Sequence, residues 1–298
     1  MGPSSPEAAT QAQPFRVPAH LTGPPRLTQR HPRLLPLAIA VHRARRRTSW
    51  IKASLTGTTC WATTRAAEPL PHRVKQHGSL LLRELDPDRM VLQHNKVTNL
   101  RLASSHVDGL LIRPGETLSF NRVVGNCTRR QGYLDGMRLS NGSPESGVGG
   151  GICQLANLIH WMVLHSPLTV VERSEHSFDL FPDTGRVVPW GVGCSIVYNY
   201  VDLVVRNDTD LTFQLGVEVG KRFLHGQLRS DERPPRSFEV EAREEEFVRH
   251  DDRVFRRNQI WRRALDPDTG SPVGEELLKA NFALVVYDLS PDTPVVDA

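Results

Sequence analysis

At 298 residues the chain is long enough for one large or two ordinary domains, and 39% apolar with 23% charged residues is the balance of a soluble protein with a real core. The formal charge of +4 is uneven. Residues 1–52 carry nine Lys or Arg against the single acid Glu7, so residues 53–298 sum to −4 and the body shows no electrostatic footprint for nucleic acid.

Residues 1–27 are rich in Pro, Ser, Ala and Gln without periodicity and read as disordered, within a basic extension spanning 1–31. The run Leu34 to Val41 is eight residues long, too short to span a bilayer, and no small-residue cleavage site follows it. The expectation is a cytoplasmic protein. Arg43 to Arg47 follow that run directly, which suits peripheral contact of the basic arm with the inner face of the membrane. From Pro32 to about Ala67 a weak helical pattern predicts two helices with a loop near Arg47 and Thr48, and 32–91 is read as an N-terminal helical region. His72 to Leu82 reads as a strand.

A core region is expected over 92–215. Leu92 to His106 reads as a helix anchored by Val97, Leu100 and Leu102. Leu110 to Ile112 forms a strand up to the Pro114-Gly115 turn, and Thr117 to Phe120 alternates as a half-buried strand. Asn121 to Gly125 and Gly132 to Gly136 read as short loops and turns. Then comes Ser146-Gly-Val-Gly-Gly-Gly-Ile-Cys-Gln154, a glycine-rich loop running into a helix. Leu155, Leu158, Ile159, Met162 and Val163 give that helix its apolar stripe, and Pro167 ends it. Thr169 to Arg173, Ser195 to Asp202 and Leu203 to Asn207 read as strands. Asn207 to Asp210 should be a hairpin turn into Leu211 to Val219. Residues 216–298 read as a β-rich C-terminal region, with strands at Phe223–Leu228, Phe238–Ala242, Glu246–His250, Asp252–Arg263 and Ala283–Tyr287. The fold class is α+β: a central helix after a Gly-rich loop, packed on a mostly antiparallel sheet, with a β-rich C-terminal part.

The chemistry concentrates at the loop and helix start. Gly149, Gly150 and Gly151 permit a close backbone approach, and Cys153 lies in the first helical turn, where unpaired N–H groups and the helix dipole favour an anion. One reading makes Cys153 a nucleophile with His176 as its base, Asp179 or Asp202 orienting the imidazole and Gln154 adding an oxyanion donor. The other makes the glycine loop, with Asn157 and His160 on the following helix, a binding site for a carboxylate or phosphate. A third possibility is that the glycines only turn the chain and the cysteine is a core residue. No metal site is expected. The four cysteines (Cys60, Cys127, Cys153, Cys194) contain no C-x-x-C pair, and His160 and His165 are five residues apart, about 140° around a helix. No cofactor is implied. Glu241 to Glu246, Arg256-Arg257 and Arg262-Arg263 read as solvated faces.

Pro114-Gly-Glu-Thr-Leu-Ser-Phe120, Gly149-Gly-Gly-Ile-Cys-Gln154, Val171-Glu-Arg through His176, and Tyr198-Asn-Tyr-Val-Asp-Leu203 to Asn207 resemble, in order and spacing, the motifs of the VanW family. Further matches run from Gln93 to Asn99, through His160 to Pro167 and Leu180 to Asp183, towards Asn281. This longer set is similar to the members found in vancomycin-resistance gene clusters more than to the multidomain surface relatives. The resemblance implies an accessory role in glycopeptide resistance or cell-wall metabolism, in a family without an established biochemical activity. Many VanW domains carry an Asp where this chain reads Gly191-Val-Gly-Cys-Ser195, so a Cys153–His176 pair here lacks that third member. The candidate activities are Cys-dependent hydrolysis or acyl transfer on a peptidoglycan-related peptide, and non-catalytic binding of a peptidoglycan precursor or cell-wall peptide.

Overall fold

A computed structural model describes residues 30–82, 87–140, 143–174, 178–179, 182–183 and 186–297. The first described helix, α1 (Leu35–Leu55), is continuous, in place of two helices broken near Arg47. Nothing between Ala38 and Leu55 is Gly or Pro, so three adjacent arginines do not interrupt it. β1 (Cys60–Trp61) and β2 (His72–Leu80) lead to α2 (Pro87–Val107), which buries Leu100, Ala103 and Val107. Next come β3 (Leu110–Ile112), β4 (Glu116–Ser119) and a five-residue helix α3 (Phe120–Val124). Phe120 thus opens a helix and does not continue the strand, because the Ser119 side chain accepts from the Arg122 N–H and caps it. The expected loops after α3 contain a hairpin, β5 (Asp135–Ser140) with β6 (Ser143–Val148), whose end becomes the glycine loop.

The helix α4 (Cys153–Leu164) follows, then β7 (Thr169–Glu172), β8 (Phe178–Asp179), β9 (Val204–Arg206), β10 (Phe213–Val219) and β11 (Phe223–Ser230). The C-terminal strands are β12 (Ser237–His250), β13 (Arg253–Leu265), β14 (Pro272–Val285) and β15 (Val295–Asp297). The two strands expected over 238–250 are one strand, irregular between Arg243 and Glu246 where Glu244 adopts φ 52°. Three larger sheets result, ordered β1-β4-β9-β7, β2-β11-β10-β3 and β15-β12-β13-β14-β8. The fold is α+β and mostly antiparallel, with β1–β4, β12–β15 and β14–β8 the parallel pairs.

Two sequence expectations fail at the sheet boundary. Asn207 to Asp210 does not close a hairpin, because β9 and β10 belong to different sheets. Its Asn207 side chain instead donates to the carbonyls of Ile112 and Leu211, at 2.9 and 2.6 Å, tying the sheets together. Ser195 to Asp202 is a compact turn and not a strand. Val197 and Val201 bridge across it, and Asn199 takes φ 53°.

Position explains why α4 is apolar nearly all round. Leu158 and Met162 press onto β11 at Gly226, where a Cβ would come within 2.8 Å of both side chains. On its other side, Trp161 and Leu164 share a cluster with Ile260 of β13 and Val192. A helix held between two sheets has little solvent face to make polar, and here it is confined to the first turns at Gln154 and Asn157.

Candidate functional site

The glycine loop is approached by the chain's own backbone. A Cβ on Gly150 would sit 2.1 Å from the carbonyl of Gly136, and one on Gly149, at φ 74°, would sit 2.6 Å from Cys127 Cβ. Asn99 of α2 fixes this crossing. It donates to the carbonyls of Leu134 (3.0 Å) and Gly150 (2.9 Å) and accepts from the Leu134 N–H (2.8 Å). One turn earlier, Asn95 donates to the Asp135 carbonyl. The loop pairs some of its own backbone, Gly150 N–H donating to Gly147 and Gly149 N–H to Leu134, and the two amides on one face of α2 satisfy carbonyls beside those bonds.

Cys153 begins α4 with its surface partly open, but Sγ is closely surrounded and contacts the Ile196 carbonyl at 3.9 Å. Burial raises the thiol above its ordinary pKa, outweighing backbone hydrogen bonds that act in the opposite direction. Cys127 and Cys194 lie close enough to interact with it electrostatically. Burial raises both, Cys194 to about 12. All three are free thiols. Gln154 donates to Ser79 Oγ and to the Leu80 carbonyl, both at 2.8 Å, which binds α4 to β2 and engages the amide proposed as an oxyanion donor. Asn157 accepts from the Cys194 N–H at 2.6 Å.

His160 is buried, its Nδ1 2.8 Å from the Val192 carbonyl, and burial lowers its pKa to about 3. His165 meets the Trp161 carbonyl in the same way and falls to about 4. Both rings stay neutral at physiological pH. His176 lies outside the described residues. Asp179 is engaged elsewhere. It accepts from Arg256 Nη1 at 3.1 Å and from the Tyr287 hydroxyl at 2.9 Å. Arg256 had read as part of a solvated face, yet its side chain is 1% exposed, paired also with Asp183 and Glu245 and lying between the rings of Trp190 and Phe247. Three carboxylates and two aromatic faces make the position favourable for a guanidinium. Among the described residues no three His, Cys, Asp or Glu side chains gather as metal ligands.

The turn that receives the Cys153 thiol holds a second polar centre. Asp202 accepts from Ser119 Oγ (2.6 Å) and from the N–H groups of Asn121 and Leu203 (both 2.9 Å). Burial nonetheless raises it to about 6. Asn121 Nδ2 donates to the carbonyls of Val197 and Val201, fastening both ends of the turn. At its tip Asn199 is fully buried, and neither amide atom has a hydrogen-bond partner among the described residues. Across the turn lies α1. Arg43 donates to the Tyr198 carbonyl, Arg46 to that of Tyr200, and His42 packs against the Tyr200 ring. Arg46 also makes a bidentate pair with Glu172, both contacts 2.5 Å.

The structure thus brings Cys153, Gln154, Asn157, the glycine loop and Asp202 into one neighbourhood and places Asp179 in another. Asn99, Ser119, Asn121 and Asn199 were not singled out from sequence. The available signal was the i, i+4 pair Asn95 and Asn99 on a helix with an apolar inner face.

Comparison with known proteins gives a consistent outcome. Residues 95–229 match a family model described as VanW like protein. Over 273 residues, 92% of this chain and 98% of the relative, the sequence is 33% identical to the vancomycin B-type resistance protein VanW of Enterococcus faecalis. It is 36% identical over 96 residues to the uncharacterized protein YoaR of Bacillus subtilis, covering 31% of this chain and 32% of that protein. No solved structure matches the chain.

Proposed function

The chain belongs to the VanW family, and from that membership we propose that it serves vancomycin resistance as a non-catalytic binder of a peptidoglycan precursor, recognised at the turn 194–202 beside the start of α4. The observation that carries this reading is Asn199, a fully buried amide whose donor and acceptor have no partner among the described residues. Leaving both unmade costs about 1–3 kcal/mol each, so a group that satisfies them is stabilised in proportion. A peptide amide or carboxyl presents the complementary atoms. Reaching Asn199 requires α1 to lift from the turn, and α1 has no buried residue of its own and lies there through polar and ring contacts.

The covalent alternative requires a thiolate at Cys153. Burial acts against that charge, and among the described residues no imidazole is hydrogen-bonded to Sγ. The test is calorimetric titration of the full chain with a soluble muramyl pentapeptide precursor, alongside Asn199→Leu and Cys153→Ala. Binding weakened about tenfold or more by Asn199→Leu and kept by Cys153→Ala is the expected result. Iodoacetamide labelling of Cys153 faster than an ordinary thiol of pKa about 8.5, with loss of resistance in Cys153→Ala, would overturn it in favour of hydrolysis or acyl transfer with His176 as base.

A further inference from the structure

We propose that the outer face of α1 docks the chain on an anionic lipid surface. Leu37, Val41, Ala44, Thr48, Ile51 and Leu55 follow one another at intervals of four and three, which places them within about 80° of each other around the helix. This stripe faces away from the body. Leu37 is 63%, Ile51 61% and Leu55 82% exposed, whereas Arg43, Arg46 and Trp50, on the opposite side, are less exposed. The inner side has its partners already, in Glu172, the 198–200 carbonyls and the Arg122 guanidinium over Trp50.

Charge decides what covers the stripe. Arg45 and Lys52 flank it on one side and Arg47 on the other, all exposed. No Asp or Glu occurs anywhere between residues 8 and 67. A second copy seated on the same seam would set these cations against their own kind, and the helix has no acidic residue to relieve the repulsion. An anionic headgroup layer matches them, with the leucines and isoleucine entering the acyl boundary below. The helix lies in the interface and does not cross it: no described helix is long and apolar enough to span a membrane. The inference stands apart from the reading of Asn199, since it uses the other face of α1.

The full chain is sedimented with vesicles of phosphatidylcholine alone and of phosphatidylcholine mixed with phosphatidylglycerol. Partitioning onto the anionic vesicles should exceed that onto the neutral ones about tenfold, as a few surface cations contribute, and should fall as salt is raised. Ile51→Asp with Leu55→Asp should abolish it, as should Arg45→Glu with Arg47→Glu. These side chains are exposed, so the circular dichroism and melting of both variants should stay parental. Equal binding to neutral vesicles, or no binding to either, overturns the proposal. So does a concentration-dependent dimer in ultracentrifugation that Ile51→Asp dissociates, which assigns the stripe to a second copy.

Discussion

The start of α4 and the Arg256 cluster both hold buried polar groups, but by opposite means. Around the glycine loop the groups are neutral amides bonded to backbone: Asn99 to Leu134 and Gly150, Asn121 to Val197 and Val201. In the C-terminal sheet the groups are ions, one guanidinium among Asp179, Asp183 and Glu245, extended by Asn258 donating to Glu245 and by Asn281 donating to Asn258. The first arrangement depends on volume and direction, the second on charge balance. Substitutions should therefore separate them: a methyl group injures one, a lost charge the other.

The largest effect is expected at Arg256. Replacing it with Ala takes away the cation that Asp179 and Glu245 share and leaves Asp183 with Arg186 alone, a loss of about 3–5 kcal/mol by the measure of broken buried pairs. Urea unfolding checks this, and Arg256→Ala combined with Asp179→Asn should recover part of it. A single variant as stable as the parent would show that the carboxylates take up protons or water at little cost. Next is Gly150→Ala, whose Cβ lands 2.1 Å from backbone atoms of Gly136, with no flexible side chain to move aside. About 3 kcal/mol, the upper end of overpacking, is expected. Asn99→Ala follows at about 2 kcal/mol, since it strands the Gly150 carbonyl and the Leu134 N–H at the crossing of the loop and the β5–β6 hairpin, while the Leu134 carbonyl keeps the Gly149 N–H. If a charge-neutral change in the loop proved harmless while Arg256→Ala unfolded the chain, the contrast between the regions would fail on the loop side.

Elements with a strong period were legible in the sequence. The α4 stripe and the alternation of Phe213, Leu215, Val217 and Val219 in β10 depend on side chains repeating toward one core, whereas α2 is legible from its apolar anchors Val97, Leu100 and Leu102. What was not legible depends on partners distant in the chain. Ser195 to Asp202 has the composition of a strand, yet Asn121, some 80 positions earlier, fastens its ends into a turn. Arg256 looked solvent-facing because Asp179 and Asp183 are over 70 positions away. At the site, sequence located the glycine loop and Cys153 but not what fills the space around them. Glycine marks a close approach without saying whether a ligand or the Gly136 backbone makes it. The membership in the VanW family was carried by motifs whose members the fold brings together, β4, α4 and the 198–207 segment, and this was readable without any geometry.

The smallest effect expected is a change in pH dependence, and it tests whether the neutral region hides one charge. Asp202 is raised from its ordinary 3.8 to about 6, so between roughly pH 4 and 6 the folded chain holds a proton there that the unfolded chain releases. Its contribution to stability grows as pH falls through 6, is complete below 3.8 and is lost as pH rises through 6. His160 and His165 act oppositely. Lowered to about 3 and about 4, they cost stability as pH falls below 6.5, because the unfolded imidazoles take up protons that the folded ones refuse. Two histidines outweigh one carboxyl, so the parent should weaken on acidification from pH 6.5 to 4. Asp202→Asn removes the opposing contribution and should steepen that loss by about 1 kcal/mol per pH unit within the window. His160→Gln, which removes a refused proton, should make it shallower. Thermal unfolding followed at intervals of pH gives the slopes. If Asp202→Asn left the slope unchanged, the carboxyl would titrate at its ordinary value, and the Ser119 hydroxyl with two backbone N–H groups would be enough to hold it ionised in the core.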